Sequence, residues 1–362
     1  MDGPGNACRG LAEIATNAPA VLGWDIGGAN LKAVMLAAEG QTIQALCRPF
    51  PLWKQPDKLR ETLAELVAQF PPARLWAVTM TGELCDCFSS RREGVSAILD
   101  AVERLAGAIP VWIWTTSSRF VTPDLARREA LRVASANWHA LATAAARRFA
   151  PHGSALLCDI GSTTTDFIPI FQGRPCPRGW TDEERLRSGE LVYRGVRRTP
   201  LCVLMPERTC AEWFATTLDL FLILGELPAD AADTDTADGR PATVPAAYAR
   251  LARLIGTDSE IVHPDALLRL AAQLLQRLEQ ELTAALTQVC QQNEGARWPE
   301  VILLSGSGEF LARRIIHRFI LMHPQYPVPH IVSLTEQLGS RLSTTAPAWA
   351  VAELARTSAA LR

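Results

Sequence analysis

The sequence predicts a two-lobed α/β protein in which each half of the chain carries a β-hairpin of the same plan. Three observations lead to this class. Apolar, β-prone runs alternate with segments whose apolar residues recur every three or four positions, which is typical of layered α/β domains. The chain has 362 residues, 48% of them hydrophobic, enough for two cores at about 100–200 residues per domain. A strand that ends in Asp-Ile-Gly occurs twice, at residues 25–27 and 159–161.

The first half alternates strands with helices from residue 21 onward. Its first two strands flank a glycine-rich turn, which is typical of a hairpin. Its first helix has apolar residues at helical spacing and ends before Pro71 and Pro72. The predicted elements are strands at 21–24, 31–36 and 42–46, a helix at 57–70, a strand at 75–80, a helix at 95–105 and a strand at 111–114.

The second half repeats this alternation around one long helix. That helix carries an apolar stripe of leucines, alanine and valine at steps of three and four, which predicts core packing. The predicted elements are a helix at 134–150, strands at 155–160 and 167–171, a less regular segment at about 174–245, the long helix at 264–292, a strand at 300–304, a helix at 308–320, a strand at 328–332 and a helix at 346–356.

Composition and local pattern indicate where the domains lie and which partners are not expected. Residues 1–20 have no apolar stretch of signal-peptide length and are expected to be a disordered leader. Residues 21–133 are the predicted first lobe and residues 134–362 the second, with an irregular insertion at about 174–245. The 36 basic and 38 acidic residues include no basic run, so no nucleic acid is expected as a partner.

Neither membrane insertion nor disulfide bonding is expected from the sequence. No apolar run reaches about 18 residues, so no spanning helix and no membrane partner are predicted. The nine cysteines form no CxxC pair and no group with zinc spacing. Free thiols in a reducing cytoplasm are the preferred interpretation, which gives a cytoplasmic localisation.

The internal repeat carries the main functional signal. Residues 22–32 and 156–166 share one plan, in which Asp25 aligns with Asp159 and Gly27 with Gly161. Glycine lets the backbone turn tightly around an anion, and successive N–H groups in such a turn bind phosphate oxygens. One such hairpin alone would be structural; two of them, one in each half, point to a phosphate site. The predicted phosphate-binding residues are Gly27, Gly28, Asn30, Gly161, Ser162, Thr163 and Thr164.

Charged residues and a third glycine turn complete this site. Asp25 and Asp159 are expected to hold one Mg²⁺ between the lobes, because carboxylate oxygens suit that cation. Lys32 adds a positive charge next to the first turn. Gly306, Ser307 and Gly308 follow a strand and enter a helix, so their turn suits an anion or a ribose edge.

This order of sites resembles the sugar kinase, heat-shock chaperone and actin superfamily, whose members have two ribonuclease H-like lobes with a nucleotide in the cleft between them. Residues 79–83 lie where that superfamily has its first connecting region. Longer blocks are similar to the hydantoinase/oxoprolinase-related proteins of the tetrahydromethanopterin-linked C1 transfer pathway. This resemblance runs from about residue 21 to 358. The blocks are residues 23–32, 79–84, 159–166, 188–200 and 238–243.

The family implies a transferase of methanofuran-type cofactor biosynthesis. Its archaeal relatives include the enzyme that joins an aminomethylfuran diphosphate to the phenol of γ-glutamyltyramine. Mg²⁺ and Lys32 would neutralise the leaving diphosphate, and no ATP would be consumed. Glu83 or Asp166 would take the phenol proton. The alternative for Asp166 is a turn carboxylate that caps local N–H groups.

The resemblance also assigns candidate substrate contacts, each with a structural alternative. Arg197 and Arg198 would clamp diphosphate or glutamyl carboxylates, or else belong to a solvated charged face. Asn137 would face the cleft, or else hydrogen-bond locally. His139 is interpreted as a packed or surface histidine rather than a catalyst, and Cys158 as a small core residue rather than a nucleophile.

Two other functions stay open at this point. One is an ATP-dependent kinase or a hydantoinase/oxoprolinase-like hydrolase, as the wider superfamily suggests. The other is a non-enzymatic, nucleotide-switched binding protein or filament subunit. The expected partners are small-molecule substrates, and a homo-oligomer is left open.

Overall fold

The computed structural model of the chain describes residues 20–292 and 298–359. The predicted leader at residues 1–20 lies outside the described residues, apart from Ala20. Two compact units are present. One consists of the residues up to 145 together with those from 345 onward, and the other consists of residues 146–344. Each unit has its own β-sheet and its own hydrophobic core.

The sheet of the first unit has six strands in the spatial order β3-β2-β1-β4-β5-β6. The first and second strands form an antiparallel hairpin, whereas the first, fourth and fifth strands run parallel. Every residue of the first and fourth strands is buried, as expected for central strands covered on both faces. The strands are β1 (Val21–Ile26), β2 (Asn30–Leu36), β3 (Thr42–Pro49), β4 (Leu75–Met80), β5 (Val111–Trp114) and β6 (Phe120–Val121).

Helices cover this sheet and supply much of its core. The first of them ends at Val67, three residues before the predicted end, although Pro71 remains the physical stop. Short 3₁₀ turns occupy Pro56–Lys58 and Gly82–Leu84. The helices are α1 (Leu59–Val67), α2 (Arg91–Ala106), α3 (Pro123–Arg128), α4 (Ala130–Val133) and α5 (Asn137–Phe149).

The second unit repeats the hairpin-plus-parallel arrangement. Its sheet has the spatial order β10-β8-β7-β11-β12, and β9 pairs with β8. The hairpin strands are antiparallel, and the seventh, eleventh and twelfth strands run parallel. The strands are β7 (Ser154–Ile160), β8 (Thr165–Phe171), β9 (Arg174–Pro175), β10 (Leu191–Val192), β11 (Val301–Ser305) and β12 (His330–Ser333).

The helices of the second unit are α6 (Asp182–Ser188), α7 (Thr217–Ile223), α8 (Val244–Leu254), α9 (Pro264–Gln292), α10 (Glu309–Met322), α11 (Leu334–Leu338) and α12 (Ser340–Thr344). The leucines and Val289 of the predicted stripe on α9 are buried, and Ala285 is partly buried against the core, which confirms its packing role. Residues 174–245 are more regular than predicted. They contain α6 and α7, and each begins with a capping box, at Thr181 and at Thr216.

The last helix, α13 (Ala346–Ala359), returns to the first unit. The sequence analysis placed it in the second lobe, and the structure differs here for a steric reason. Gly23 in β1 has no side chain, and a Cβ at that position would overlap the Ala348 carbonyl and lie 2.8 Å from the Ala352 Cβ. The helix backbone therefore packs directly on β1. None of the described helices is long and apolar enough to cross a membrane.

Candidate active site at the strand ends

The first hairpin closes in a tight glycine turn. The Gly27 N–H donates to the Asn30 carbonyl at 3.0 Å. A Cβ at Gly28 would lie 2.6 Å from the Cys85 Sγ, so the chain has no room for a side chain there. Lys32 lies opposite Asp25 in the hairpin register, with 3.3 Å between its Nζ and the Asp25 Oδ2. The turn thus holds one cation and one carboxylate beside a run of backbone N–H groups.

Asp25 is buried but only partly satisfied. Burial raises the pKa of Asp25 above its usual value, and the Lys32 ammonium opposes this shift. Among the described residues, the Asp25 Oδ1 has no hydrogen-bond partner. Thr79, the register partner of Asp25 on β4, is also buried, and its Oγ1 has no partner either. Buried polar atoms in folded proteins are nearly always paired with protein, water or ligand, so these two oxygens mark a place that a polar ligand or a water can occupy.

These oxygens fit Mg²⁺, the cation predicted from the sequence. Mg²⁺ is usually held by one or two carboxylates together with waters and substrate phosphates, rather than by a complete protein cage. Within residues 20–292 and 298–359, no three His, Cys, Asp or Glu side chains converge on one point. Asp25 would therefore contribute one carboxylate, directly or through a bound water, to a cation that ligand oxygens also hold. The sharing of this cation with Asp159 stays a prediction.

Glu83 follows β4 and lies at the same sheet edge. Its neighbour Thr81 donates its backbone N–H to the Ile26 carbonyl at 3.0 Å, which ties the loop to the first hairpin. The Glu83 side chain is buried, and its Oε1 accepts a hydrogen bond from the Ser135 hydroxyl at 2.9 Å. A Cβ at Gly94 would overlap the Glu83 backbone, so α2 packs closely against this loop. Glu83 is thus a buried carboxylate fixed beside the first glycine turn.

The residues at the start of α5 make local contacts. The Asn137 Oδ1 accepts a hydrogen bond from the Trp138 N–H at 2.8 Å, which is the local alternative considered for Asn137. His139 is buried, and its Nδ1 accepts from the Trp114 Nε1–H at 3.1 Å. The interpretation of His139 as a packed histidine agrees with this environment. Cys158 is likewise buried in a strand of the second unit.

The second hairpin reproduces the backbone of the first but not its charges. The Gly161 N–H donates to the Thr164 carbonyl at 2.9 Å, matching the bond that closes the first turn. Asp166 lies opposite Asp159 in the register. The Asp166 carboxylate forms an ion pair with Arg185, whose side chain is 1% exposed. Burial raises the pKa of Asp166, and the Arg185 guanidinium opposes this shift.

The segment around Arg197 lies directly on the second glycine turn. The Val196 N–H donates to the Gly161 carbonyl at 3.0 Å. The Arg197 and Arg198 N–H groups both donate to the Ser162 carbonyl, at 3.0 and 2.9 Å. A Cβ at Gly195 would lie 2.5 Å from the Thr163 nitrogen, so this approach requires glycine. The two arginines are therefore placed beside the turn by their own backbone.

The arginine side chains meet an acidic loop. The Arg197 guanidinium lies 2.6 Å from the Asp233 Oδ2 and 3.5 Å from an Asp235 carboxylate oxygen. It also donates to the Asp235 carbonyl at 2.9 Å. Arg198 lies 3.7 Å from the other Asp235 carboxylate oxygen. The two arginine side chains are thus paired with carboxylates of the acidic loop.

The third glycine turn contacts the second hairpin. Gly306 has φ of +88°, and a Cβ there would overlap the Ile160 carbonyl and lie 2.7 Å from the Asp159 Oδ1. The Gly308 N–H donates to the same Ile160 carbonyl at 2.8 Å, while Ser307 is exposed. The second and third glycine turns, whose Gly161 and Gly306 are 145 positions apart in the sequence, are therefore neighbours within the second unit.

Three residues of this site were missed in the sequence. Thr79 and Ser305 are the last hydroxyl-bearing residues of buried strands, next to Asp25 and Asp159 in the register, and both hydroxyls are unpartnered among the described residues. A hydroxyl at the carboxyl end of an otherwise apolar strand is the signal that would have identified them. Arg185 lies 19 residues from Asp166, and only the folded chain shows that the two side chains meet.

Comparison with known proteins identifies relatives along nearly the whole chain. The hydantoinase/oxoprolinase family matches residues 74–202. The (4-{4-[2-(gamma-L-glutamylamino)ethyl]phenoxymethyl}furan-2-yl)methanamine synthase of Methanocaldococcus jannaschii is 30% identical over 342 residues, which cover 92% of this chain and 97% of that protein. The synthase of the same name from Methanococcus vannielii is 28% identical over 209 residues, which cover 56% of this chain and 90% of that protein.

A solved structure agrees with the fold. The ROK family glucokinase from Streptomyces griseus, in complex with glucose and AMPPNP, matches with a TM-score of 0.52 and 16% identity over 93% of this chain and 99% of that one. This likeness confirms the predicted fold class, which is the actin-like ATPase fold with two α/β units. The 30% identity to a named synthase over almost the entire length decides the family. The chain belongs to the hydantoinase/oxoprolinase-related family of enzymes that includes these methanamine synthases.

Proposed function

We propose that the protein is a transferase of methanofuran-type cofactor biosynthesis. It joins an aminomethylfuran group, delivered as its diphosphate, to the phenol of an acceptor such as γ-glutamyltyramine. The observation that carries this proposal is the 30% identity to the Methanocaldococcus jannaschii synthase across 92% of the chain. The compound in that name contains a phenoxymethyl link to a furan, which is the ether that such a reaction forms.

The reaction replaces one carbon–oxygen bond by another. The bond between the furan methylene and the diphosphate breaks, and its electron pair leaves with the diphosphate. The methylene then bonds to the phenol oxygen, and the phenol proton passes to a base on the protein. The furan ring stabilises positive charge at the methylene, so the enzyme has to stabilise the negative charge that grows on the leaving group.

The glycine turns and Lys32 suit this leaving group. A tight glycine turn can direct backbone N–H groups at phosphate oxygens, and Lys32 adds an ammonium beside the first turn. Arg197 and Arg198 are anchored on the second turn and suit a second anionic group, either diphosphate or a glutamyl carboxylate. Mg²⁺ held with the help of Asp25 would supply further positive charge to the diphosphate.

Glu83 is the candidate base that we favour over Asp166. If Asp166 took up the phenol proton, its carboxylate would become neutral. The buried Arg185 guanidinium would then lose its nearest negative charge. Glu83 accepts instead from the Ser135 hydroxyl, so its protonation breaks no ion pair with that partner. Glu83→Gln should therefore reduce the rate more than Asp166→Asn once each rate is corrected for the fraction of folded protein.

The test is direct synthesis with the purified protein. The protein is incubated with the aminomethylfuran diphosphate, γ-glutamyltyramine and Mg²⁺, and the ether and free diphosphate are quantified by mass spectrometry and a diphosphate assay. One diphosphate should appear for each ether, with no ATP present. The acceptor that lacks the phenol hydroxyl is the matched control and should give no ether. Product formation that requires ATP and yields stoichiometric ADP would reject the proposal in favour of an ATP-dependent kinase or hydrolase.

A further inference from the structure

Thr79 and Ser305 occupy equivalent positions in the two units. Thr79 pairs with Asp25 across the parallel strands β1 and β4, and Ser305 pairs with Asp159 across β7 and β11. Register partners in a parallel sheet point to the same face, so each hydroxyl stands beside the hairpin aspartate of its unit. The repeat thus extends beyond the hairpins to a third strand in each unit.

Neither hydroxyl contributes to the fold through a hydrogen bond. Thr79 and Ser305 are both 0% exposed, and in the described part of the chain neither oxygen has a hydrogen-bond partner. Two buried hydroxyls serve as comparison because they are satisfied: Thr143 donates to the His139 carbonyl at 2.7 Å, and Ser154 donates to the Trp298 carbonyl at 2.8 Å. The Thr287 Oγ1 on α9 also lacks a partner among the described residues, but it lies beside no hairpin aspartate in the sheet register. An unpaired buried hydroxyl lowers stability, and a methyl group would avoid that loss.

The chemistry of the first pair specifies its missing partner. An ionised carboxylate only accepts hydrogen bonds, whereas a hydroxyl both donates and accepts. The group that satisfies the Asp25 Oδ1 and the Thr79 Oγ1 together must therefore donate to the first and accept from the second. A water in the hydration shell of Mg²⁺ does both, since it has two hydrogens and a lone pair beyond the one directed at the cation.

We propose that Thr79 and Ser305 are positioning residues for the oxygens of magnesium diphosphate and its bound waters, each donating its hydroxyl hydrogen to such an oxygen beside the hairpin aspartate of its own unit. This inference rests on the proposed function, because it takes magnesium diphosphate as the ligand. It adds two residues to those predicted from the sequence. It also assigns the same role to Thr79 in the first unit and to Ser305 in the second, although the hairpins of the two units carry different charges.

Two paired substitutions test this assignment without relying on turnover. Thr79→Val and Ser305→Ala should leave the melting temperature of the ligand-free protein unchanged or higher, because each removes an unpaired buried hydroxyl. The matched controls, Thr143→Val in the first unit and Ser154→Ala in the second, should lower it because their hydroxyls are bonded. Calorimetric titration with magnesium and inorganic diphosphate should show at least tenfold weaker binding for Thr79→Val and Ser305→Ala. The two control variants should bind with wild-type affinity. Thr79→Ser, which keeps the hydroxyl, should also bind with wild-type affinity.

Each outcome decides the assignment. A melting temperature lowered as much as in the controls would mean that the hydroxyls have hydrogen-bond partners in the fold. An unchanged affinity for diphosphate would mean that the hydroxyls do not contact the ligand. Either result overturns the inference. If the wild type forms ether while the variants bind and turn over normally, the inference fails and the proposed function stands. If the wild type binds magnesium diphosphate through these hydroxyls but forms no ether, the proposed function fails and the inference stands. No binding by the wild type rejects both.

Discussion

Lys32 and Asp166 occupy the same register position in the two hairpins, each directly opposite the aspartate that precedes the glycine turn. The two turns are closed by the same backbone hydrogen bond, yet one carries a cation at this position and the other a carboxylate. Arg185 compensates the carboxylate from outside the hairpin. Because the backbone is repeated and the charge is not, substitutions at equivalent positions should have different effects.

Lys32→Ala should lower kcat more than it raises KM. The Lys32 ammonium interacts most strongly with the diphosphate in the transition state, when negative charge moves onto this leaving group. An interaction that strengthens in the transition state raises kcat. The loss should be about 2–4 kcal/mol, by comparison with the removal of one oxyanion donor. Steady-state kinetics of ether formation measure it.

The same substitution also leaves the Asp25 carboxylate without its ammonium. The kinetics should therefore be repeated at higher pH, where Asp25 is ionised in both proteins, and the folded fraction should be checked by circular dichroism. A rate that returns to the wild-type value at high pH would assign the effect to Asp25, and the transition-state role of Lys32 would be wrong.

Arg185→Met should destabilise the second unit strongly. It leaves Asp166 buried without its nearest cation, and breaking a buried pair from one side costs about 3–5 kcal/mol. Arg187→Met is the matched control on the same helix, because Arg187 is exposed and pairs with Glu183 in solvent; its cost should stay below about 1 kcal/mol. Urea unfolding compares the two, and equal losses would contradict a stabilising role for the buried pair.

Asp233→Asn should strengthen the binding of an anionic substrate. The Asp233 carboxylate lies 2.6 Å from Arg197, so its removal weakens an internal competitor for that guanidinium. KM for the anionic substrate should fall in Asp233→Asn and rise in Arg197→Met, with kcat changing less. If Arg197→Met leaves KM unchanged, Arg197 serves the acidic loop alone and its predicted substrate role is wrong.

Gly306→Ala should be far more damaging than an ordinary glycine substitution. Gly306 and Gly225 both have positive φ, but a Cβ at Gly225 meets nothing within 4 Å, whereas at Gly306 it would overlap the Ile160 carbonyl. Gly225→Ala should cost about 1–2 kcal/mol from backbone strain alone. Gly306→Ala should cost at least about 1–3 kcal/mol more from overpacking and displace Asp159. Similar melting temperatures for the two variants would contradict this close approach.

The stabilising contribution of Asp238 should depend on pH. Burial works to raise the pKa of Asp238, but hydrogen bonds from the Arg240 N–H and from the buried Arg250 outweigh it, so the pKa lies below the usual 3.8. A lowered pKa in the folded state means that the charged group stabilises the protein above the unfolded-state pKa and that this contribution is lost as the pH falls through the folded-state pKa.

Asp238→Asn tests this dependence. At pH 7 the variant should be about 1.5–3 kcal/mol less stable, because Arg250 loses a charged hydrogen-bond partner at 2.9 Å. The difference should shrink below about pH 4 as wild-type Asp238 takes up a proton. Asp265→Asn, at an exposed position, is the control and should change stability by less than about 0.5 kcal/mol. A difference that is constant with pH would assign the effect to packing.

Strands and helices that are specified by a regular local sequence pattern could be predicted from the sequence. The bounds of β4, β5 and α9 agree with the prediction because continuous apolar runs and a regular stripe specify them. The two glycine turns were also predictable, since Asp-Ile-Gly repeats in the sequence. Helices α6 and α7 were missed, although the Thr181–Glu184 and Thr216–Asp219 capping boxes mark their starts.

Contacts between distant parts of the chain could not be predicted in this way. The pairing of Arg197 with Asp233 joins residues 36 positions apart, and that of Arg185 with Asp166 joins residues 19 apart. No periodicity encodes either distance, because both depend on how loops fold back over the second hairpin. The same holds for α13, whose helical pattern was evident but whose packing partner Gly23 lies more than 300 residues earlier.

That return of α13 to β1 has a consequence for biosynthesis. The ribosome delivers β1 more than 300 residues before α13, so the first unit lacks one of its layers until α13 has been translated. The second unit, residues 146–344, is contiguous and can complete its core earlier. A chain truncated after residue 344 should therefore contain a protease-resistant second unit and an unfinished first one, in which the face of β1 that α13 covers is exposed.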